Sequence, residues 1–103
     1  MSWKIFHQLA MDVSSLAYVA VREGAASQAS SLYSVAAELE GMAIIDPAIS
    51  GRTLLVSVVS LAALHLKAGN KEVARDVALS YITDHRITPQ GRIKLHETIL
   101  SIN

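Results

Sequence analysis

The chain has 103 residues, of which nine are basic, nine are acidic and none is cysteine. This length suits one domain, residues 1–103, that can bury a single core. The even charge excludes the basic footprint of a nucleic-acid-binding protein, and the lack of thiols excludes disulfides and thiolate metal sites. Hydrophobic residues make up 51% of the chain. Many of them are alanine, which favours closely packed helices, so we expect an all-α fold.

The first predicted helix covers about residues 3–23, where apolar side chains recur at helical spacing. Ser2 can cap it, because its hydroxyl can accept a hydrogen bond from a first-turn amide. Gly24 should end it, since glycine tolerates the left-handed backbone of a helix terminus. The expected inward stripe comprises Trp3, Phe6, Leu9, Ala10, Val13, Leu16, Ala17 and Ala20. A second apolar stripe predicts another helix between Ala25 and Gly41.

An irregular connection is predicted from Gly41 to Gly51, because Asp46-Pro47 disfavours a helix. Its isoleucines indicate that it packs on the core. The third helix, about residues 52–68, is apolar almost all round, which predicts burial on every side and a central position. Its apolar run is shorter than the roughly 20 residues that a membrane span needs, so we expect no membrane association.

Two further helices complete the predicted fold. Asn70 is the expected cap of the fourth helix, about residues 71–84. Thr88 and Pro89 begin the last helix, about residues 89–101, with threonine as the cap and proline in the first turn. No segment alternates like a strand. Five helices joined mostly by tight turns predict antiparallel hairpins.

Two stretches of the chain carry the same small residues around a glycine. The first has Leu16-Ala17, Gly24 and Ala29, and the second has Leu61-Ala62, Gly69 and Ala74. This pattern resembles the tetratricopeptide repeat, in which a small residue at the crossing lets two helix axes approach to about 8 Å. The two glycines lie 45 positions apart. Repeats of the family are usually about 34 residues long, and the connection between the second and third helices can hold the surplus.

The resemblance implies either a right-handed, tetratricopeptide-like array of hairpins or a compact five-helix bundle. In length and hairpin pattern the chain is similar to the small chaperones that hold needle subunits in bacterial type III secretion. The resemblance implies a cytoplasmic, non-catalytic adaptor, assembly factor or secretion chaperone without a cofactor. Its partner would be a protein or peptide, bound in a heterodimer, or a second copy of the chain in a homodimer.

In such an array the first helix of each hairpin lines the concave face. The expected partner-binding residues are therefore Met11, Tyr18, Arg22, Val56, Val59 and Lys67. An apolar floor with two cations at its edges would suit an amphipathic helix with an acidic flank. In the alternative interpretation, the last helix or a second copy covers these apolar residues. The apolar third helix also supports a second hypothesis, a regulatory bundle that encloses a small apolar ligand.

The polar residues form no recognisable catalytic or metal-binding set. No two of the four histidines share a predicted helix, and no nucleophile elbow or phosphate-binding glycine loop occurs. Glu38 and Glu40, two positions apart on a helix, cannot converge as a carboxylate pair. We expect His65, on the apolar third helix, to be a hydrogen-bonded buried histidine or a cation near the negative helix end.

Overall fold

The computed structural model describes residues 2–102 and contains five α-helices. They are α1 (Trp3–Arg22), α2 (Ala26–Ile44), α3 (Gly51–Lys67), α4 (Lys71–Tyr81) and α5 (Pro89–Ser101). No strand occurs within residues 2–102. The predicted all-α class with five helices is therefore confirmed.

Side-chain caps begin two of the helices as predicted. Ser2 Oγ accepts a hydrogen bond from the Lys4 amide, and Thr88 Oγ1 accepts one from the amide three residues further on. Asn70 occupies the cap position of α4, but its side chain makes no capping hydrogen bond. The backbone amide of Asn70 instead donates to the His65 carbonyl and closes the end of α3. The predicted side-chain cap at Asn70 is therefore wrong.

Glycine ends two of the helices but not a third. Gly24 and Gly69 have φ angles of +77° and +88°, in the left-handed region that glycine adopts at little cost. The prediction that α2 ends at Gly41 is wrong, because the helix continues to Ile44. A mid-helix glycine costs about 1 kcal/mol relative to alanine, and the burial of Ile44 outweighs that cost. The helix ends before Pro47, where the backbone can no longer stay helical.

The connection from α4 to α5 is held by its own polar contacts. α4 ends at Tyr81, three residues earlier than predicted. Asp84 accepts hydrogen bonds from the amide, Nε and Nη2 of Arg86 at 2.9, 3.1 and 3.0 Å. The carbonyl of Arg86 lies so close to Gly51 that a side chain there would collide with it. The connection therefore packs directly on the first turn of α3, with Ile87 buried beneath it.

The helices pack in chain order, each against the next, and α3 also contacts α5. The Cα atoms extend over 41 × 34 × 16 Å. The shortest dimension matches two stacked helices, since packed helix axes lie about 8–10 Å apart. Among residues 2–102, eleven of the buried apolar residues are alanines, which permit this close approach. The predicted central position of α3 is confirmed, because it packs against three other helices.

The third helix is nevertheless not buried on every side. Leu54, Val58 and Leu61 face the core, whereas Val56 is 57% exposed and Leu66 is exposed as well. The prediction of complete burial is wrong, because the neighbouring helices cover only part of the circumference of α3. An apolar side of the central helix therefore faces solvent.

Candidate partner-binding surface

The predicted binding residues of α1 lie along one face of that helix. Tyr18 and Arg22 are one turn apart and exposed, and Met11, two turns before Tyr18, is half-buried. None of the three belongs to the buried core. The face is therefore accessible, with an aromatic ring and a cation towards the end of the helix.

The predicted binding residues of α3 lie on or beside its open side. Val56, Ala63 and Lys67 recur along one line of the helix, and all three are exposed. Val59 is half-buried and packs partly against the core. The binding surface predicted from the sequence is thus accessible at Val56 and Lys67 and partly covered at Val59.

An apolar groove separates α3 from α5. It has a volume of about 210 Å³ and is lined by Val59, Ala62, Ala63, Leu66, Thr98, Ser101 and Ile102. The two hydroxyls on its α5 side donate to carbonyls of their own helix: Thr98 to Lys94, and Ser101 to Thr98. Because those donors are already satisfied, the groove presents mainly apolar surface.

Lys67 lies at a second groove, where α2 passes between the ends of α1 and α3. This groove of about 250 Å³ is lined by Val21, Gly24, Ala26, Ala29, Ser30, Tyr33 and Lys67. Lys67 Nζ lies 5.5 Å from the centroid of the Tyr33 ring, a cation–π geometry that orients the ammonium group. Val59 and Lys67 therefore line different grooves. That all six residues contact one partner stays a prediction.

The interpretation of the polar residues missed a buried pair between α1 and α2. Glu40 is completely buried, and both of its carboxylate oxygens lie 3.0 Å from His7 Nδ1. Glu40 falls on the same helical stripe as Tyr33 and Ala36. An acid on an apolar stripe signals a buried carboxylate, which requires a partner. The pair joins the two helices and lies beside Trp3, whose ring is tilted against the imidazole at 6.4 Å between centroids.

A single carboxylate ties the start of α1 to the connection after α2. Asp46 Oδ2 accepts from the Trp3 amide and Oδ1 accepts from the Ala48 amide, both at 2.9 Å. The hydrogen bonds from the Ala48 amide and then from the Trp3 amide lower the pKa of Asp46. Amides in the first turn of a helix have no acceptor within the helix, and the Asp46 carboxylate supplies one for Trp3.

Two polar atoms on α3 are buried without a hydrogen-bond partner among the described residues, Ser57 Oγ and His65 Nδ1. Burial lowers the pKa of His65, because the low-polarity surroundings disfavour the imidazolium form. Nδ1 of His65 therefore lacks the hydrogen bond expected of a buried histidine, and the lowered pKa disfavours the expected cation. Neither atom lines either of the two grooves.

Within residues 2–102, no three histidine, aspartate or glutamate side chains converge as metal ligands. The same part of the chain has no helix that combines the length and the hydrophobicity of a membrane span. Comparison with protein families, with curated proteins and with solved structures gives no match, so the chemistry of this surface is the basis for the function.

Proposed function

We propose that the protein is a non-catalytic interaction module, an adaptor, assembly factor or secretion chaperone that shelters an apolar helix of its partner in the cytoplasm. The observation that carries this proposal is the open side of α3, where Val56 is 57% exposed. The central helix of a small domain is normally its most buried element. An apolar surface left open there is typical of a protein–protein interaction site.

The apolar surface continues from the open side of α3 into the groove beside α5. Ala63 belongs to both, and Leu66 and Val59 extend the groove along the helix. A helix docks into such a groove through residues spaced three and four positions apart. The apolar surface along α3 is long enough to bind several side chains of a partner helix rather than only one.

Cations at one end of the surface indicate the charge of the partner. Lys67 is oriented by Tyr33, and Arg22 lies in the last turn of α1, next to Val21 of the second groove. Opposite charges at the rim of an interface guide association and fix its direction. The proposed partner helix therefore carries acidic residues at the end that lies near Lys67.

The resemblance to tetratricopeptide hairpins supports the use of the first helix of each hairpin for binding. Ala29 and Ala74, the small residues at the two crossings, are both buried. The narrower proposal within this family is a needle-subunit chaperone of type III secretion. It adds a specific partner class, a needle subunit.

The second candidate function, a bundle that encloses a small apolar ligand, draws on the same groove. Pockets for drug-sized ligands usually measure about 300–1,000 Å³ and enclose most of the ligand. The groove between α3 and α5 is smaller, about 210 Å³. Its size favours the flank of a partner helix over a whole ligand. Native mass spectrometry of freshly purified protein would show a copurified ligand as added mass.

The proposed function can be tested by placing a charge on the open side of α3. We expect Val56→Glu to abolish copurification of the partner with tagged protein, measured by mass spectrometry and light scattering. Val73→Glu is the matched control, since Val73 is a similarly exposed valine on α4 outside the groove. A monomer that retains no protein partner, or equal retention by both variants, contradicts the proposal.

A further inference from the structure

A second apolar surface lies on the first hairpin. Leu9 and Leu16 were expected to point inward, but they are 43% and 59% exposed. The side chains of this surface recur every three or four residues along both helices. We define the outer face as Ile5, Leu9 and Leu16 of α1 with Val35, Leu39 and Met42 of α2. All of them except the half-buried Leu39 are exposed.

The two stripes lie on the same flank of the hairpin. The helices are antiparallel, because only a tight turn at Gly24 joins them, and they meet along their buried alanines. His7 and Glu40 touch on one side of that alanine seam. In α1, Leu9 lies on the opposite side of the seam from His7. In α2, Leu39 lies on the opposite side from Glu40, so the two leucines share a flank.

No helix of the described chain covers that flank. α1 packs on α2, and α2 packs on α3. The position of α3 is marked by the hydrogen bond from Ser30 Oγ to the Ala68 carbonyl, which lies on the side of α2 away from Val35. The outer face and the groove of the proposed function are therefore separate surfaces.

The charges along the outer face are acidic. Asp12 lies between Leu9 and Leu16, and Glu38 lies between Val35 and Met42. Both are exposed, and Asp12 also accepts a hydrogen bond from Gln8. No lysine or arginine occurs between Glu23 and Gly51.

The basic residues of this half of the chain lie away from the outer face. Lys4 is turned towards Trp3, with its Nζ 5.9 Å from the centroid of the ring. Residues 1–50 contain two basic and five acidic side chains, whereas residues 51–103 contain seven and four. Although the net charge of the whole chain is zero, its first half is therefore acidic.

We infer that the outer face binds an amphipathic helix of another protein, one whose apolar stripe is flanked by lysine or arginine. Such a helix would cover the stripe and place its cations beside Asp12 and Glu38. A symmetric dimer would instead bring the outer face onto itself, so that acidic edges meet acidic edges. The charge therefore favours a foreign basic helix over a second copy. The inference does not depend on the groove beside α3.

Two synthetic helical peptides test this inference. They share one leucine stripe, and their flanks carry lysine in one and glutamate in the other. Fluorescence anisotropy should show the lysine-flanked peptide binding about tenfold tighter at low salt, with the difference shrinking as salt screens the exposed charges. Equal affinities, or no binding of either peptide tighter than a Kd of about 1 mM, would overturn the inference.

Charge-reversal variants locate the effect on the outer face. D12K/E38K should invert the preference, so that the glutamate-flanked peptide binds tighter. D76K/E97K changes the net charge equally at exposed acids of α4 and α5 and should leave the preference unchanged. Inversion by the control pair would overturn the inference, because bulk charge would then explain the binding.

Removal of apolar surface separates this site from the groove and from self-association. Val35→Ser should weaken the lysine-flanked peptide several-fold, whereas Leu79→Ser, at an exposed residue of α4, should not. Val56→Glu, which tests the proposed function, should leave peptide binding intact. If light scattering shows a homodimer that Val35→Ser dissociates, a second copy covers the outer face and the inference fails.

Discussion

The two hairpins, α1–α2 and α3–α4, carry the same residues at corresponding places but bury them differently. Leu61 is 4% exposed, whereas its counterpart Leu16 is 59% exposed. The glycines that follow have nearly the same left-handed φ angle. The motif thus sets the local turn, whereas the number of neighbouring helices sets burial. α1 packs mainly against one helix, and α3 packs against three.

Truncation of the two corresponding leucines should give the largest difference in stability between the hairpins. We expect Leu61→Ala to lower the free energy of unfolding by about 2–4 kcal/mol, because it leaves a cavity in the core. Leu16→Ala should cost less than about 0.5 kcal/mol, as for other exposed substitutions. Urea unfolding of both variants measures this difference. Similar losses would mean that Leu16 is covered in solution, for example by a second copy.

The buried pair of the first hairpin has no counterpart in the second. His7→Ala should cost about 1–3 kcal/mol, because it leaves the completely buried Glu40 carboxylate without its partner. His7→Ala/Glu40→Leu should recover much of that loss, since no buried charge remains. Denaturant unfolding of the single and double variants tests the coupling. A double variant as unstable as the sum of single substitutions would contradict it.

The two turn glycines should respond alike, in contrast to the leucines. Gly24→Ala and Gly69→Ala each force alanine into a left-handed backbone, which should cost about 1–2 kcal/mol. Gly41→Ala is the matched control inside α2, where an added Cβ meets nothing within 4 Å. It should stabilise the fold by about 0.5–1 kcal/mol. Thermal unfolding separates the two cases, and a loss for Gly41→Ala would contradict the helical extension.

Each hairpin is followed by a connection in which an aspartate accepts backbone hydrogen bonds. Hydrogen bonds from Arg86 lower the pKa of Asp84 from 3.8 to about 2, and the bonds from its side chain contribute more than the bond from its backbone amide. A lowered folded-state pKa contributes stability above the unfolded pKa, and that stability is lost as the pH falls towards 2. We therefore expect the stability difference between wild type and Asp84→Asn to shrink over this range. A difference that stays constant between pH 5 and about pH 2 would contradict this assignment.

Local signals in the sequence were sufficient to place the five helices and most of their ends. Ser2 and Thr88 cap their helices through their own hydroxyl oxygens, and Gly24 and Gly69 end theirs through a left-handed backbone. These local effects depend little on the rest of the fold. Gly41 is an instructive exception. Its local preference is weak enough for the burial of the following turn to override it.

Burial and pairing could not be predicted, because they depend on which helices become neighbours. Helical spacing places Leu9 and Leu16 near the stripe that meets α2. It does not show how much of the α1 surface the neighbouring helices cover, and both leucines remain exposed. The partner of Glu40 is 33 positions away in the sequence, and no local pattern indicates it. The binding residues named from the sequence lie on exposed or half-buried positions, and their role stays a prediction.

The two-oxygen contact of Asp46 has a consequence for the dynamics of the first hairpin. One carboxylate holds the Trp3 amide at the start of α1 and the Ala48 amide beyond the end of α2. Both amides lose their acceptor when that single side chain swings away. In hydrogen exchange we expect them to behave as one opening unit, although they lie 45 residues apart in the chain. We therefore expect the beginning of α1 to fray together with the α2–α3 connection rather than independently of it.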